Sequence, residues 1–191
     1  MGARSGAAQM KIYSVTQVLQ PFADFSMIPE DKLQAACDRG DAVHSHLYSY
    51  AVGLWSPRPE GFEGYCESGE RWLDLNLKTV ISAEEEYSDP VLGFIGHPDL
   101  LLEDQRGAIL LIDWKTPVTE ARSWAIQLSA YHYLVTKKHK LKKKKVAPGA
   151  LMLSPTGGNA RFKGYYENLS YFFGLFLAGL NLIRYFEEGK A

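Results

Sequence analysis

Residues 96–116 read GHPDLLLEDQRGAILLIDWKT. Leu100–Leu102 and Ala108–Ile112 are apolar runs of strand length, and the polar segment Glu103–Gly107 between them suits a hairpin loop that ends in glycine. Alternate residues of a strand share a face, so Asp113 and Lys115 point the same way. A five-residue loop sets Leu102 against Ala108 and Asp99 against Leu111, with Asp113 the diagonal neighbour of Asp99 on the same face. A four-residue loop would put the two aspartates on opposite faces. The reading therefore requires the odd loop, or a bulge of the same parity.

Two carboxylates beside an ammonium make a site for a hard divalent cation and a polarised water. Oxygen ligands of this kind suit Mg²⁺ or Mn²⁺ better than zinc. An Asp-x-Lys in a strand is most often only a solvated face. Here, however, Asp113 follows AILLI, a run apolar enough for a strand buried on both sides. A charge at the end of such a strand is costly unless it is paired or binds a metal. Gly96 and Pro98 break the first strand just before Asp99, as at a bent or bulged site.

Pro98-Asp99, thirteen residues, then Asp113-Trp114-Lys115 resembles the signature of the PD-(D/E)xK nuclease superfamily. RGDAVH at 39–44 resembles the upstream histidine motif of its RecB-like branch, and QLSAY at 127–131 resembles that branch's Gln-x-x-x-Tyr motif. The three occur in the branch's order and rough spacing, and the likeness spans about residues 12–186, closest in flavour to phage-type exonucleases that process DNA ends for recombination. The resemblance implies a restriction-endonuclease-like core and a DNA substrate. It implies a metal held by His44, Asp99, Asp113 and the backbone carbonyl of Trp114, with Lys115, Gln127 and Tyr131 completing the catalytic set. Relatives in this branch that hold an iron–sulfur cluster use four cysteines; this chain has Cys37 and Cys66 alone.

A chain of 191 residues, 46% hydrophobic and 23% charged, is most simply one globular domain, here residues 11–191. Two cysteines far apart point to a reducing compartment and away from a disulfide or zinc framework. The net charge of −1 does not advertise a nucleic-acid binder, but residues 137–145 hold seven lysines, which leaves about −8 on the remainder. Lys142, Lys143, Lys144 and Lys145 have the density of a segment that contacts a phosphate backbone. Residues 1–10 are small and polar, with no apolar signal core and no Ser or Thr at position 6 for myristoylation, and read as a frayed end. The expected setting is the cytoplasm of a bacterial or phage-infected cell, with an organelle or nucleus left open.

Along the chain, Ser14 or Thr16 caps a short helix limited by Pro21. A second helix starts near Pro29, with proline in its first turn, and carries Gly40, which predicts a close packing partner, and His44. Residues 54–71 read as a Pro/Gly/Glu-rich loop, followed by a short element at Trp72–Leu77. LKTVISAEEEYSDPVLGFIG reads as a strand carrying Glu84, Glu85 and Glu86, a turn at Ser88–Pro90, and a strand into Asp99. Relatives often turn one such glutamate to the metal; spacing to Tyr87 favours Glu84, then Glu86. Thr119 is expected to cap a helix to about Lys138 that puts Gln127 and Tyr131 on one face. VAPGALMLSP reads as a strand and GGNARFKGYY as a turn and extended segment. Tyr171–Phe186, too short and aromatic to be a membrane span and carrying Arg184, reads as a buried helix with Gly189 past its end.

The pattern is α/β, a central mixed β-sheet flanked by helices. With the resemblance it implies a metal-dependent deoxyribonuclease, an exonuclease acting on DNA ends. The alternatives are an inactive DNA-binding module of the same fold, or an assembly protein whose lysines meet an acidic partner. Partners implied are DNA and a recombination or annealing protein, with room for assembly of several copies and no membrane.

Overall fold

A computed structural model describes residues 11–23, 26–117, 119–141 and 146–188. The segment 1–10, the lysines 142–145 and Gly189 lie outside the described residues.

The chain opens with a two-residue strand, β1 (Tyr13–Ser14), and helix α1 (Val15–Leu19). Of the two candidate caps, Ser14 does the work. Its hydroxyl accepts the Gln17 amide N–H at 3.1 Å, and the Gln17 side-chain oxygen accepts the Ser14 amide N–H at 2.8 Å. A 3₁₀ turn over Gln20–Phe22 follows, with Pro21 in it. Helix α2 (Glu30–Ala51) begins after Pro29, which occupies the cap and not the first helical position. Gly40 does not serve packing: a Cβ there would meet nothing within 4 Å.

Helix α3 (Glu63–Asn76) replaces the second half of the expected 54–71 loop. Its glycines are points of close approach instead of breaks. A Cβ on Gly64 would fall 2.0 Å from the Pro155 carbonyl oxygen, and one on Gly69 would fall 2.6 Å from a Leu47 methyl. Glycine count alone cannot separate a loop from a helix pressed against its neighbours.

The strands are β2 (Leu77–Ala83), β3 (Tyr87–Asp89), β4 (Phe94–Gly96), β5 (Leu100–Asp104) and β6 (Ile109–Lys115), then β7 (Val146–Met152) and β8 (Arg161–Gly164). Helix α4 (Ser123–His139) joins β6 to β7, and α5 (Leu169–Glu188) ends the described chain. The main sheet runs β2-β5-β6-β7-β8, with β6 and β7 parallel and its other neighbours antiparallel. A parallel pair needs a long crossover, which α4 supplies. A smaller mixed sheet runs β1-β4-β3. Three expectations shift. The glutamates 84–86 lie past the end of β2. The chain leaves one sheet and enters the other between β4 and β5, so Gly96 ends one strand and Asp99 sits just before the next. Helix α4 starts after Arg122, with no side-chain cap from Thr119.

The hairpin is tighter than the five-residue loop. Leu102 pairs with Leu110 and Glu103 with Ile109, and the turn closes as the Asp104 amide donates to the Ala108 carbonyl at 2.8 Å. Gly107 takes the left-handed φ of +81° that this turn needs. The pairing slides by two residues, so parity is kept. Continued one step, the register puts Asp99 opposite Asp113, not opposite Leu111.

Alternation along β5 and β6 builds two cores. Leu101, Ile109 and Leu111 face α4 and α5 and pack with Phe94, Leu134 and Phe176. Leu100, Leu102, Leu110, Ile112 and Trp114 face α2 and α3 and pack with Val43, Leu47 and Leu73. Asp113 and Lys115 follow Leu111 on the α4 side. Helix α5 is not the buried helix expected. Phe176 and Leu180 sit in the core, yet Tyr171, Leu182 and Tyr185 stand in solvent. By length and composition this helix could cross a membrane.

Candidate active site

Asp113, 3% exposed, follows four apolar residues near the C-terminal end of β6. Its Oδ2 touches the Lys115 ammonium, yet that oxygen is sealed from solvent and has no aligned hydrogen-bond donor. Burial pushes the Asp113 carboxyl up from the ordinary range; Lys115 opposes that shift, and Asp99 adds to it. A buried carboxylate oxygen whose contact is one poorly aligned ammonium is costly, and a divalent cation would compensate it further.

Asp99 lies just before β5, 7% exposed. Its Oδ2 accepts the Trp114 amide N–H at 2.5 Å, which fixes the carboxylate against β6. Its Oδ1 lies 3.4 Å from His44 Nδ1. His44 comes from α2, in the layer on the far side of the sheet, and reaches Asp99 because that residue lies beyond the paired part of β5. Burial lowers the basicity of the His44 ring, but Asp99 and Asp113 outweigh it and raise the ring to about 9.

Glu84 completes the cluster. The Glu84 amide donates to the Asp99 carbonyl at 3.1 Å, extending the β2–β5 pairing past its end. Glu84 holds φ at +50°, an uncommon conformation for a residue with a side chain. His44, Glu84 and Asp99 each offer a ligand atom within 4.8 Å of the others. Desolvation and the charge of Asp99 push the Glu84 carboxyl up to about 7. Protons on His44 and Glu84 thus offset the crowded negative charge, and a divalent cation would displace them. Of the three glutamates left open by the sequence, Glu84 is the one at this cluster; Glu86 pairs with His97 at 3.2 Å.

The Trp114 carbonyl is placed by strand geometry. Leu153 N–H donates to the Lys115 carbonyl at 2.8 Å, so odd-numbered residues of β6 turn their backbone groups to β7. Trp114 turns its own to the β5 side, where the register continues to Pro98, a residue with no amide hydrogen to give. That carbonyl therefore has no amide donor from Pro98.

Behind Lys115 runs a short relay. Its ammonium donates to Gln127 Oε1 at 3.1 Å, and Gln127 Nε2 donates to the Tyr131 hydroxyl at 3.2 Å. Burial, with Asp113 nearby, holds the Tyr131 phenol far above its usual range, so it stays neutral. Gly96 of β4 makes this possible: a Cβ there would lie 2.7 Å from the Tyr131 ring. The Lys115 ammonium also stands 5.5 Å from the centre of the Trp124 ring, a cation–π contact. Trp124 is not among the site residues expected from the sequence. Its signal was the spacing, since Trp124 precedes Gln127 by three and Tyr131 by seven on one helix face. The lysines 142–145 lie outside the described residues.

A mixed sheet that brings carboxylates, an imidazole and a lysine to one strand end fits a hydrolase. The chain belongs to the PD-(D/E)XK nuclease superfamily: the family model matches residues 56–172, more than half of the chain. The matched segment holds Glu84, Asp99, Asp113, Lys115, Gln127 and Tyr131, while His44 lies outside it. No curated protein matches the chain. The family is one of nucleases that use divalent metals, and the His44–Glu84–Asp99 group has the donors for such an ion.

Proposed function

We propose that the protein is a deoxyribonuclease that uses Mg²⁺ or Mn²⁺, of the RecB-like branch, and that it works as an exonuclease on DNA ends in recombination or repair. The observation that carries the nuclease reading is the buried, unmatched oxygen of Asp113 beside Lys115, opposite Asp99 and its His44–Glu84 group. The three motifs in the order of that branch support the finer assignment.

Asp99 and Asp113, the His44 ring, Glu84 and the Trp114 carbonyl would hold the ion. Oxygen donors with a single imidazole suit a hard cation. When bound, such an ion supplies Lewis-acid polarisation of the phosphate and of a water. Lys115 offsets negative charge that grows on the phosphoryl oxygens and holds or passes a proton at the attacking water. Gln127 and Tyr131 keep the Lys115 ammonium at Asp113 and stop it from swinging into solvent. Trp124 backs the same ammonium from its other side. Lys142–Lys145 would contact the DNA backbone, with recombination or annealing proteins as further partners and the cytoplasm as setting.

The test is incubation with Mg²⁺ or Mn²⁺ and linear, circular, single- and double-stranded DNA, with products followed over time. Release of mononucleotides from linear DNA, with circles spared and EDTA reversibly stopping the reaction, is the expected result. Cutting of closed circles would overturn the exonuclease assignment. No metal-dependent cleavage of any substrate would overturn the nuclease reading itself.

A further inference from the structure

Helix α5 is apolar on two opposite faces. Phe173, Phe176, Leu180 and Ile183 turn inward and pack in the core with α1 and α4. On the other side Tyr171, Leu175, Ala178, Leu182 and Tyr185 are all exposed. Their spacing alternates four and three, the seam of two helices packed at a shallow angle. The large side chains of this face, Tyr171, Leu175, Leu182, Tyr185 and Phe186, keep between 41% and 74% of their surface in solvent. A helix apolar all round is normally buried all round. Among the described residues no segment covers this face.

We propose that the exposed seam of α5 is the contact between two copies of this chain, packed antiparallel about Ala178. The seam is self-complementary in that arrangement. With Ala178 against Ala178 on the two-fold axis, Tyr171 meets Tyr185 and Leu182 meets Gly174. Gly174 is exposed, and a Cβ on it would meet nothing within 4 Å, so it leaves a notch for a leucine from the facing helix. Small residues at the centre of a crossing let two helices approach closely.

Area favours a second copy. At about 200 Å² for each large side chain, the exposed fractions amount to roughly 600 Å² per copy, or roughly 1,200 Å² for the pair. That clears the roughly 1,000 Å² that a specific interface needs. Phe22, itself exposed and packed against Gly179, widens the patch on one flank. A lipid surface is the weaker match. The seam carries no lysine or arginine to meet anionic headgroups; the one basic residue of the helix, Arg184, donates inward to the Leu92 and Gly93 carbonyls. The inference is independent of the nuclease reading, since its readouts are association state and cross-linking.

The test is sedimentation equilibrium of the full chain from low to high micromolar concentration, with Leu182→Glu and Leu175→Glu as variants. The parent chain is expected to sediment as a dimer, and both variants as folded monomers with unchanged circular dichroism. In a Cys37→Ser background, Ala178→Cys should form an intermolecular disulfide on mild oxidation, and a mixture of Tyr171→Cys and Tyr185→Cys should cross-link better than either alone. A parent chain that stays monomeric throughout overturns the proposal. So does a dimer that both glutamate variants leave intact, or partition of the parent onto neutral lipid vesicles in place of self-association.

Discussion

Two buried aspartates, each touching a lysine, sit on elements that face α4 and behave in opposite ways. Asp89, at the end of β3, accepts from the amides of Val91 at 2.9 Å and Leu92 at 3.0 Å, from the Tyr133 hydroxyl at 2.7 Å and from Lys137 at 2.6 Å. Burial alone would raise its carboxyl, but Lys137 and the other three donors override that and hold it down at about 2. Asp113 has a comparable neighbour in Lys115, but one oxygen stays without a matched donor and its carboxyl is raised. The fold surrounds one carboxylate with four aligned donors and gives the other a single ammonium in contact. An Asp–Lys contact alone says little; the donors around it separate a structural pair from a chemical one.

The contrast predicts that changes at the two sites fall on different observables. Asp113→Asn and Lys115→Ala are each expected to lower metal-dependent cleavage by on the order of 10³-fold or more. Thermal unfolding should change little in Asp113→Asn, because removing a buried carboxylate charge offsets the cost of leaving the Lys115 ammonium without its partner. Single-turnover cleavage and a melting curve on the same samples check this. A variant that cleaves normally would place the chemistry elsewhere.

Asp89→Ala should do the reverse. It strands two backbone amides and the Tyr133 hydroxyl, at about 1 kcal/mol each, so a loss of about 3 kcal/mol is expected by urea unfolding. Cleavage per folded molecule should not change. A large loss of turnover with an intact fold would mean that Asp89 is not the structural partner in this comparison.

Acid sharpens the comparison further. The folded pKa of Asp89, about 2, lies below its ordinary value of 3.8. Its contribution to stability is therefore complete above that ordinary value and is lost as pH falls toward 2. Asp113, with its carboxyl raised, works the other way: it favours folding when protonated and loses that advantage as pH rises. Asp89→Asn should flatten the stability loss below pH 4, and Asp113→Asn should not; unfolding midpoints measured across that range decide it.

How much of this was legible in the sequence follows from what each residue answers to. Strand alternation and the hairpin's odd parity are local, so Asp99, Asp113 and Lys115 could be set on one face before any coordinates. The exact pairing was not legible, because a slide of two residues leaves the pattern of faces unchanged and is settled by the turn at Gly107. Helix α3 was misread because Gly64 and Gly69 answer to Pro155 and Leu47, partners far away in the chain. Gly96 was read as a strand breaker for the same reason; its meaning lies in the Tyr131 ring. Of the two histidines of α2, the sequence motif pointed to His44 alone. What His46 does instead, contacting Glu70 at 2.7 Å and the Pro57 carbonyl at 3.1 Å, depends on a loop the pattern could not place.

The smallest effect is expected at the lysine of the satisfied pair. Lys137 has half of its side chain in solvent, while Asp89 is sealed. Replacing Lys137 by Gln removes one donor of four and leaves the two amides and the Tyr133 hydroxyl in place, so the carboxylate stays solvated by the protein. The ammonium also lies 5.7 Å from the Tyr133 ring, a contact that solvent screens at this exposure. Lys137→Gln should therefore lower the melting temperature slightly at low salt and not measurably at high salt, where a surface charge is screened. Lys115→Gln, at a half-buried ammonium with no comparable reserve of donors around Asp113, should show no such salt rescue of cleavage. If the two lysine variants respond to salt alike, the distinction drawn between the two pairs is wrong at its root.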